Sequence, residues 1–418
     1  MYISDGNLRS AAAPIFTAPA GLHAHFPLWS PDAAFIYFVQ GALPDKLDVW
    51  RISPAGGTPE RITSHLGRVS YPVLLDRRTL LYLASEPDGS GPWLYGMDVE
   101  RRIPHRLTSG LDRYMSLAAS ADGRRLVATL ASPTTLASLK RTLWRLRIDD
   151  SPKVSAAAQI SLTTSTGFSP RLGPNYLLYV SATGTDESIW KLANGTATEL
   201  WTGEGARVFG GPAIAPDGRS IAFSIRQHGH ALLYVMQADG TKARVVADAL
   251  DLQGAPAWAP DGQSITSAAD DHGVPHLFRV PVDGQSPAPL VQGYSVDPAW
   301  APDGRFLVYS GPDIGTTFSV KAVTPQAEPH SLPALRLTRG ARHLVFLPGG
   351  RALVLLQGAI QHKDLWLIDL ETGAERQLTN LPPDFDIGDF DISPDGGEVV
   401  LERVQERSEV VLLDLPRP

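Results

Sequence analysis

An all-β fold, a single closed β-propeller of four-stranded antiparallel blades, is what this sequence predicts, on three observations. The chain is heavily punctuated, with 38 glycines and 35 prolines in 418 residues that are 43% apolar. A Pro-Asp-Gly turn recurs, so that "PAWAPDGRFLVYS" from Pro298 nearly repeats "PAWAPDGQSITSA" from Pro256. An aromatic-centred strand follows almost every turn. Dense glycine and proline in an apolar chain mark many short elements joined by tight turns. A repeat of this length is that of a propeller blade.

The turns are anchored at Asp32, Asp122, Asp217, Asp261, Asp303 and Asp395, and weaker copies start at Tyr71, Ser169 and Val345, making nine units. The third strand of each unit gives an independent register at Trp50, Tyr95, Trp144, Trp190, Tyr234, Phe278, Val320, Trp366 and Val411, with neighbours 42 to 49 residues apart. Each unit reads as four strands: an inner strand entering the turn, an apolar strand leaving it, the aromatic strand, and a short fourth strand near Leu-Thr. Alternating apolar and polar residues between turn signals suit blades that pack face to face. The Asp-Gly pair suits a hairpin because glycine adopts positive φ and the aspartate bonds the local backbone.

Nine blades are therefore expected, or eight if a weak unit does not complete one. The domain is read as one propeller over 1–418, with a closing strand region at 1–25, eight units over 26–386 and a last unit at 387–418. That last unit lacks a Leu-Thr strand. "PIFTAP" from Pro14 is expected to supply it, so that the two termini complete one blade and no sheet edge is left open. "MYISDG" itself looks like a third strand and is expected to cap the closing blade or to mark a piece of a longer array.

These motifs resemble the TolB-like (WD40-like) β-propeller repeat family, whose repeat runs Trp-Ser-Pro-Asp-Gly, apolar strand, Leu-Tyr-Val, Asp-Gly and Leu-Thr. "SLAASADGRRLVATLASP" followed by "TLWRLRI" is similar to propeller modules of bacterial serine/threonine kinases and other signalling proteins. The resemblance implies a protein- or ligand-binding sensor or scaffold module from a signalling or envelope context, not an enzyme. No Gly-rich loop with its lysine strand, His-Arg-Asp or Asp-Phe-Gly accompanies it.

A net charge of −7 does not suggest a nucleic-acid partner. No run of 18 apolar residues and no leader pattern occurs, so membrane insertion is not expected and the compartment stays open. There is no cysteine, which removes disulfides, thiolate metal sites and cysteine nucleophiles. The repeated aspartates read as turn residues, since whole blades separate them and no calcium loop is written. Histidines at His23/His25, His65, His228/His230 and His272/His276 fall in loops of one face, but no zinc helix motif exists. No cofactor, metal or catalytic residue is expected, and a monomer is, because a closed ring has no edge to share.

Loops around a propeller channel are where a ligand is expected. On that face an arginine set, Arg68, Arg113, Arg207, Arg339 and Arg342, lies with Tyr114, Tyr294 and an acidic set, Asp251, Asp297, Asp384, Asp386 and Asp389. The binding expectation rests on the arginines with Tyr294 and Asp297, for a protein or peptide partner or a small anionic ligand. The competing expectation is a propeller lyase or hydrolase acting on an anionic saccharide at the channel mouth. A serine peptidase is not expected, since "GYSVD" at Gly293 lacks the last glycine of a nucleophile elbow.

Overall fold

The computed structural model describes residues 1–3, 13–19, 22–42, 46–65, 67–86, 91–108, 113–131, 140–148, 157–183, 186–227, 230–271, 274–314, 317–338, 340, 343–359, 362–382, 385–405 and 409–414. Among them every regular element is a β-strand, and neighbouring strands pair antiparallel in sheets of mostly four strands. The chain divides into two compact units. One holds Met1–Leu139 with Arg407–Pro418, the other Lys140–Glu406.

The first unit contains three repeat sheets among the described residues. His23–Trp29, Ile36–Ala42, Lys46–Ile52 and Glu60–Arg61 form one, and Val69–Leu74, Thr79–Ala84, Trp93–Asp98 and His105–Arg106 the next. Tyr37, Val39, Leu47, Val49, Leu80 and Tyr82 pack between them. The third joins Arg113–Ala119 and Arg125–Ala131 to Glu409–Asp414 from the far end of the sequence.

The second unit contains six sheets among the described residues. Five follow sequence order, with inner strands at Phe168–Leu172, Ala213–Ile214, Asp251–Trp258, Val296–Trp300 and Val345–Phe346. The sixth places Asp386–Ile392, Glu398–Gln405, Lys140–Arg147 and Ala158–Gln159 side by side. Apolar clusters fill each successive junction between sheets. The sixth sheet packs on both flanks, through Leu146 against Val354, Leu356 and Leu365, and through Leu143 and Val400 against Leu177 and Tyr179.

This pairing corrects the expected use of the termini. The last third strand, Glu409–Asp414, does not stay with Glu398–Gln405 but pairs with Arg125–Ala131, while Lys140–Arg147 takes its place from Lys140↔Gln405 to Arg147↔Glu398. Charges are matched in both observed pairs. Arg145 meets Glu398 at 3.4 Å and Arg141 meets Glu402 at 3.5 Å across one, and Arg125 stands opposite Asp414 in the other. The "PIFTAP" strand is also elsewhere. Ala13–Pro14 pairs with Tyr2–Ile3, and Ile15 and Phe16 cover Ile36, Phe38 and Ile52 of the first sheet, with Met1 beside them.

The repeated letters have the local roles that their chemistry dictates. At Asp32, Asp122, Asp217, Asp261, Asp303 and Asp395 the carboxylate accepts the N–H two residues on, at 2.9–3.1 Å. The Leu-Thr threonine ties the fourth strand to the third: Thr63, Thr108 and Thr379 accept the N–H of Val49, Leu94 and Leu365, each at 2.9 Å. Thr379, fully buried, also donates to Asp364 at 2.7 Å. Thr379→Val keeps the shape but strands the buried Leu365 N–H and takes one of two donors from Asp364 Oδ1, which keeps the Leu381 N–H, and is expected to cost about 1–2 kcal/mol in denaturant unfolding. A cost within error of zero would show that neither group depends on the hydroxyl.

Candidate functional site

In the second unit a cavity of about 630 Å³ is lined by residues of the inner-strand segment of all six sheets. The lining follows from the repeat. Each inner strand carries a triplet, usually X-Pro-X, before its turn: Ser169-Pro170-Arg171, Gly211-Pro212-Ala213, Ala255-Pro256-Ala257, Asp297-Pro298-Ala299, His343-Leu344-Val345 and Asp389-Phe390-Asp391. The pairing register slips at this point in four of the six sheets, between Phe168 and Arg171, Gln253 and Ala257, Val296 and Ala299, and Ile387 and Phe390. Such bulges re-aim side chains. At two of them the first residue is left-handed, with φ of 49° at Ser169 and 54° at Asp297. Both outer members of every triplet line the cavity.

The two walls differ. Gly210, Gly211, Ala213, Ile214, Gly254, Ala255, Pro256 and Ala257 make one that contributes no polar side chain. Polar groups gather on the other. Arg171 donates to Asp389 Oδ2 at 2.9 Å and to the Pro170 carbonyl at 2.6 Å. Its guanidinium lies over Gly211, where a Cβ would fall 2.1 Å from Nη2. Asp391 accepts the Leu172 N–H at 2.7 Å, and Glu402 accepts that of Ser169 at 3.2 Å. Arg141 stacks on Phe168 with its guanidinium carbon 4.6 Å from the ring centre.

Depth in the unit sets the protonation of this wall. Burial pushes the Asp391 carboxyl up to about 6, against the pull of Arg171. Glu402 is pushed up to about 7 by burial, with the Asp389 charge adding to it and Arg141 opposing. His343 is pushed down to about 4, by burial first and then by Arg171, so it is neutral at physiological pH. Its ring stands edge-on to Phe390, and its Nε2 is buried without a hydrogen-bond partner among the described residues.

Of the residues expected from the sequence, Asp297 and Asp389 line the cavity. Tyr294 is partly buried three residues before Asp297, and Arg207 is exposed in the short strand leading to Gly210. Asp251 and Asp386 are exposed at strand starts. Arg68, exposed, and Arg113 and Tyr114, at the start of Arg113–Ala119, belong to the first unit. Arg339, Arg342 and Asp384 lie outside the described residues, as do His228 and His272. His65 of the first unit bonds the Tyr82 hydroxyl at 2.7 Å and contacts Tyr95, and His23 stacks on His25. Among the described residues no group of three His, Asp or Glu side chains is placed to hold a metal ion.

Arg171, Asp391, Glu402, His343 and Arg141 are the groups that sequence reasoning missed. A signal for Arg171 and Asp391 was present. The outer triplet residues are mostly small or apolar, and a charge there breaks the repeat.

Residues 134–334 match the TolB beta propeller domain family. No curated protein matches the chain in sequence. Among solved structures, a putative TolB from Agrobacterium tumefaciens is 19% identical with a TM-score of 0.51, over 64% of this chain and 99% of that one. TolB from Acinetobacter baumannii is 15% identical with a TM-score of 0.43, over 82% and 80%. An oligogalacturonate lyase from Vibrio parahaemolyticus is 11% identical with a TM-score of 0.43, over 92% and 98%. By the match over 134–334, just under half of the chain, and by its repeat, this chain is similar to the TolB beta propeller domain family.

Proposed function

We propose that the chain is a non-catalytic binding module whose ligand enters the cavity of the second unit, and that the six sheets of that unit form a closed ring around it. Support for the ring comes from the run of apolar junctions, which returns from the sixth sheet to the first. The asymmetry of the cavity carries the binding reading. Its volume suits a small ligand or a peptide end, one wall presents fixed polar groups, and the other is bare enough for a ligand to lie against the backbone.

Asp389, Asp391 and Glu402 are each held by an arginine or a backbone amide, as recognition requires. Arg207 and Tyr294, in segments that lead into the lining, are proposed to extend the contact at its mouth. A role as sensor or scaffold follows if the ligand belongs to a protein partner. The second reading, a lyase or hydrolase acting on an anionic saccharide, is favoured by Glu402 alone, whose carboxyl titrates near neutrality.

Ala257→Trp fills the cavity from its bare wall, and comparison with the unmodified protein tests the proposal. Ligand captured from source-cell extract and identified by mass spectrometry is expected with the unmodified protein and lost with the variant, at an unchanged melting temperature. Equal capture by both would remove the cavity from the binding function. Turnover of an acidic oligosaccharide, abolished by Glu402→Gln, would replace binding by catalysis.

A further inference from the structure

We infer that the ligand group taken by this cavity is a cation, an alkylammonium or guanidinium, seated between Asp391 and Glu402 on the polar wall with its carbon chain against the Ala255 and Ala257 side. The inference rests on the binding reading above and names the chemistry of the same site.

Charge is the first ground. The lining holds four carboxylates, Asp297, Asp389, Asp391 and Glu402, and two guanidiniums, Arg141 and Arg171. Behind Arg141 stands one more carboxylate, Glu187, which feels both Arg141 and the exposed Arg207. His343 is neutral and adds no positive charge. Arg171 is committed to Asp389 and Pro170, and Arg141, 3.5 Å from Glu402, is the second cation, so the lining keeps more carboxylates than guanidiniums. A buried carboxylate without a matched cation is costly, and a ligand bringing one removes that cost.

Free acceptor capacity is the second ground. Asp391 accepts the backbone N–H groups of Leu172 and Ile392, and Glu402 accepts that of Ser169 with its other oxygen 3.5 Å from Arg141 Nε; each carboxylate oxygen accepts more than one donor. His343 Nε2 is buried, lines the same wall and has no hydrogen-bond partner among the described residues. In its Nδ1–H tautomer it accepts from an ammonium and rejects a carboxylate. Three acceptors on one wall match the three N–H donors of a primary ammonium. The third ground is shape. Ala255, Pro256 and Ala257 contribute no polar side chain to the lining, which suits methylene groups.

Protonation gives the inference a direction. As pH falls through the raised carboxyls of Glu402, at about 7, and Asp391, at about 6, the site loses the charge that attracts the cation. An alkylamine stays charged throughout, so its binding weakens on acidification.

The test is calorimetric titration of the full chain with spermidine, with a lysine-containing peptide blocked at both ends, and with citrate as the anion. At about pH 8 an amine is expected to bind and citrate not, and Asp391→Asn and Glu402→Gln, which keep shape and an acceptor, are each expected to weaken the amine about tenfold or more. Spermidine binding without the peptide identifies a free small amine, and the reverse a side chain of a protein partner. Binding of citrate in place of both amines, lost in Ala257→Trp, would overturn the cation while leaving the cavity as the binding site. Amine binding unaltered in both carboxylate variants would also overturn it.

Discussion

Arg171→Leu is expected to cost the second unit about 3–5 kcal/mol of stability, the largest loss from any one polar side chain described here. The arginine side chain is 8% exposed and its Asp389 partner 14%. Removing it takes away the cation on which Asp389 and Asp391 both depend, opens a void over Gly211 and frees the Pro170 carbonyl. The cost should shrink as the carboxylates protonate, so that denaturant midpoints of variant and unmodified protein converge at low pH. A loss below about 1 kcal/mol at neutral pH would mean that water already carries the charge of these groups.

The double variant Asp391→Asn/Glu402→Gln is expected to act in the opposite sense and raise stability above pH 7. Both carboxyls titrate higher in the folded chain than in the unfolded one, so between about pH 4 and 7 the folded state binds more protons and stability falls as pH rises. A shift of about two units corresponds to about 3 kcal/mol for each group. The gain of the variant should therefore be absent near pH 4 and reach several kcal/mol by pH 8. His343 works the other way, its contribution being lost as pH falls from its ordinary value towards about 4. It is common to both proteins and cancels in the difference. Melting curves at several pH values measure it, and a gain independent of pH would show that desolvation of these charges is not its source.

Much of the fold was legible because its signals are local. The Asp-Gly turns, the Trp190 and Trp366 strands and the Thr63 and Thr379 ties each depend on residues near in sequence, and each is where the repeat puts it. The partner of a third strand is another matter. Lys140–Arg147 and Glu409–Asp414 carry the same alternation, and each pairs with a strand more than 250 residues away in sequence. The site divides in the same way. Asp297 and Asp389 were found by their place in the loops assigned to the channel face. Arg171, Asp391 and Glu402 owe their role to burial and to meeting across sheets, which no single unit of the repeat records.

The exchange of third strands also gives the sequence the form of nested parentheses. The pairing of 125–131 with 409–414 encloses the pairing of 140–147 with 398–405, and the two never cross, so the chain needs no threading. Both join residues more than 250 positions apart, which makes them the slow contacts of their units. On a chain growing from its amino terminus the inner pair has both halves first. For the outer pair, Arg125–Ala131 must wait, its edge unfilled, until Glu409–Asp414 has been made.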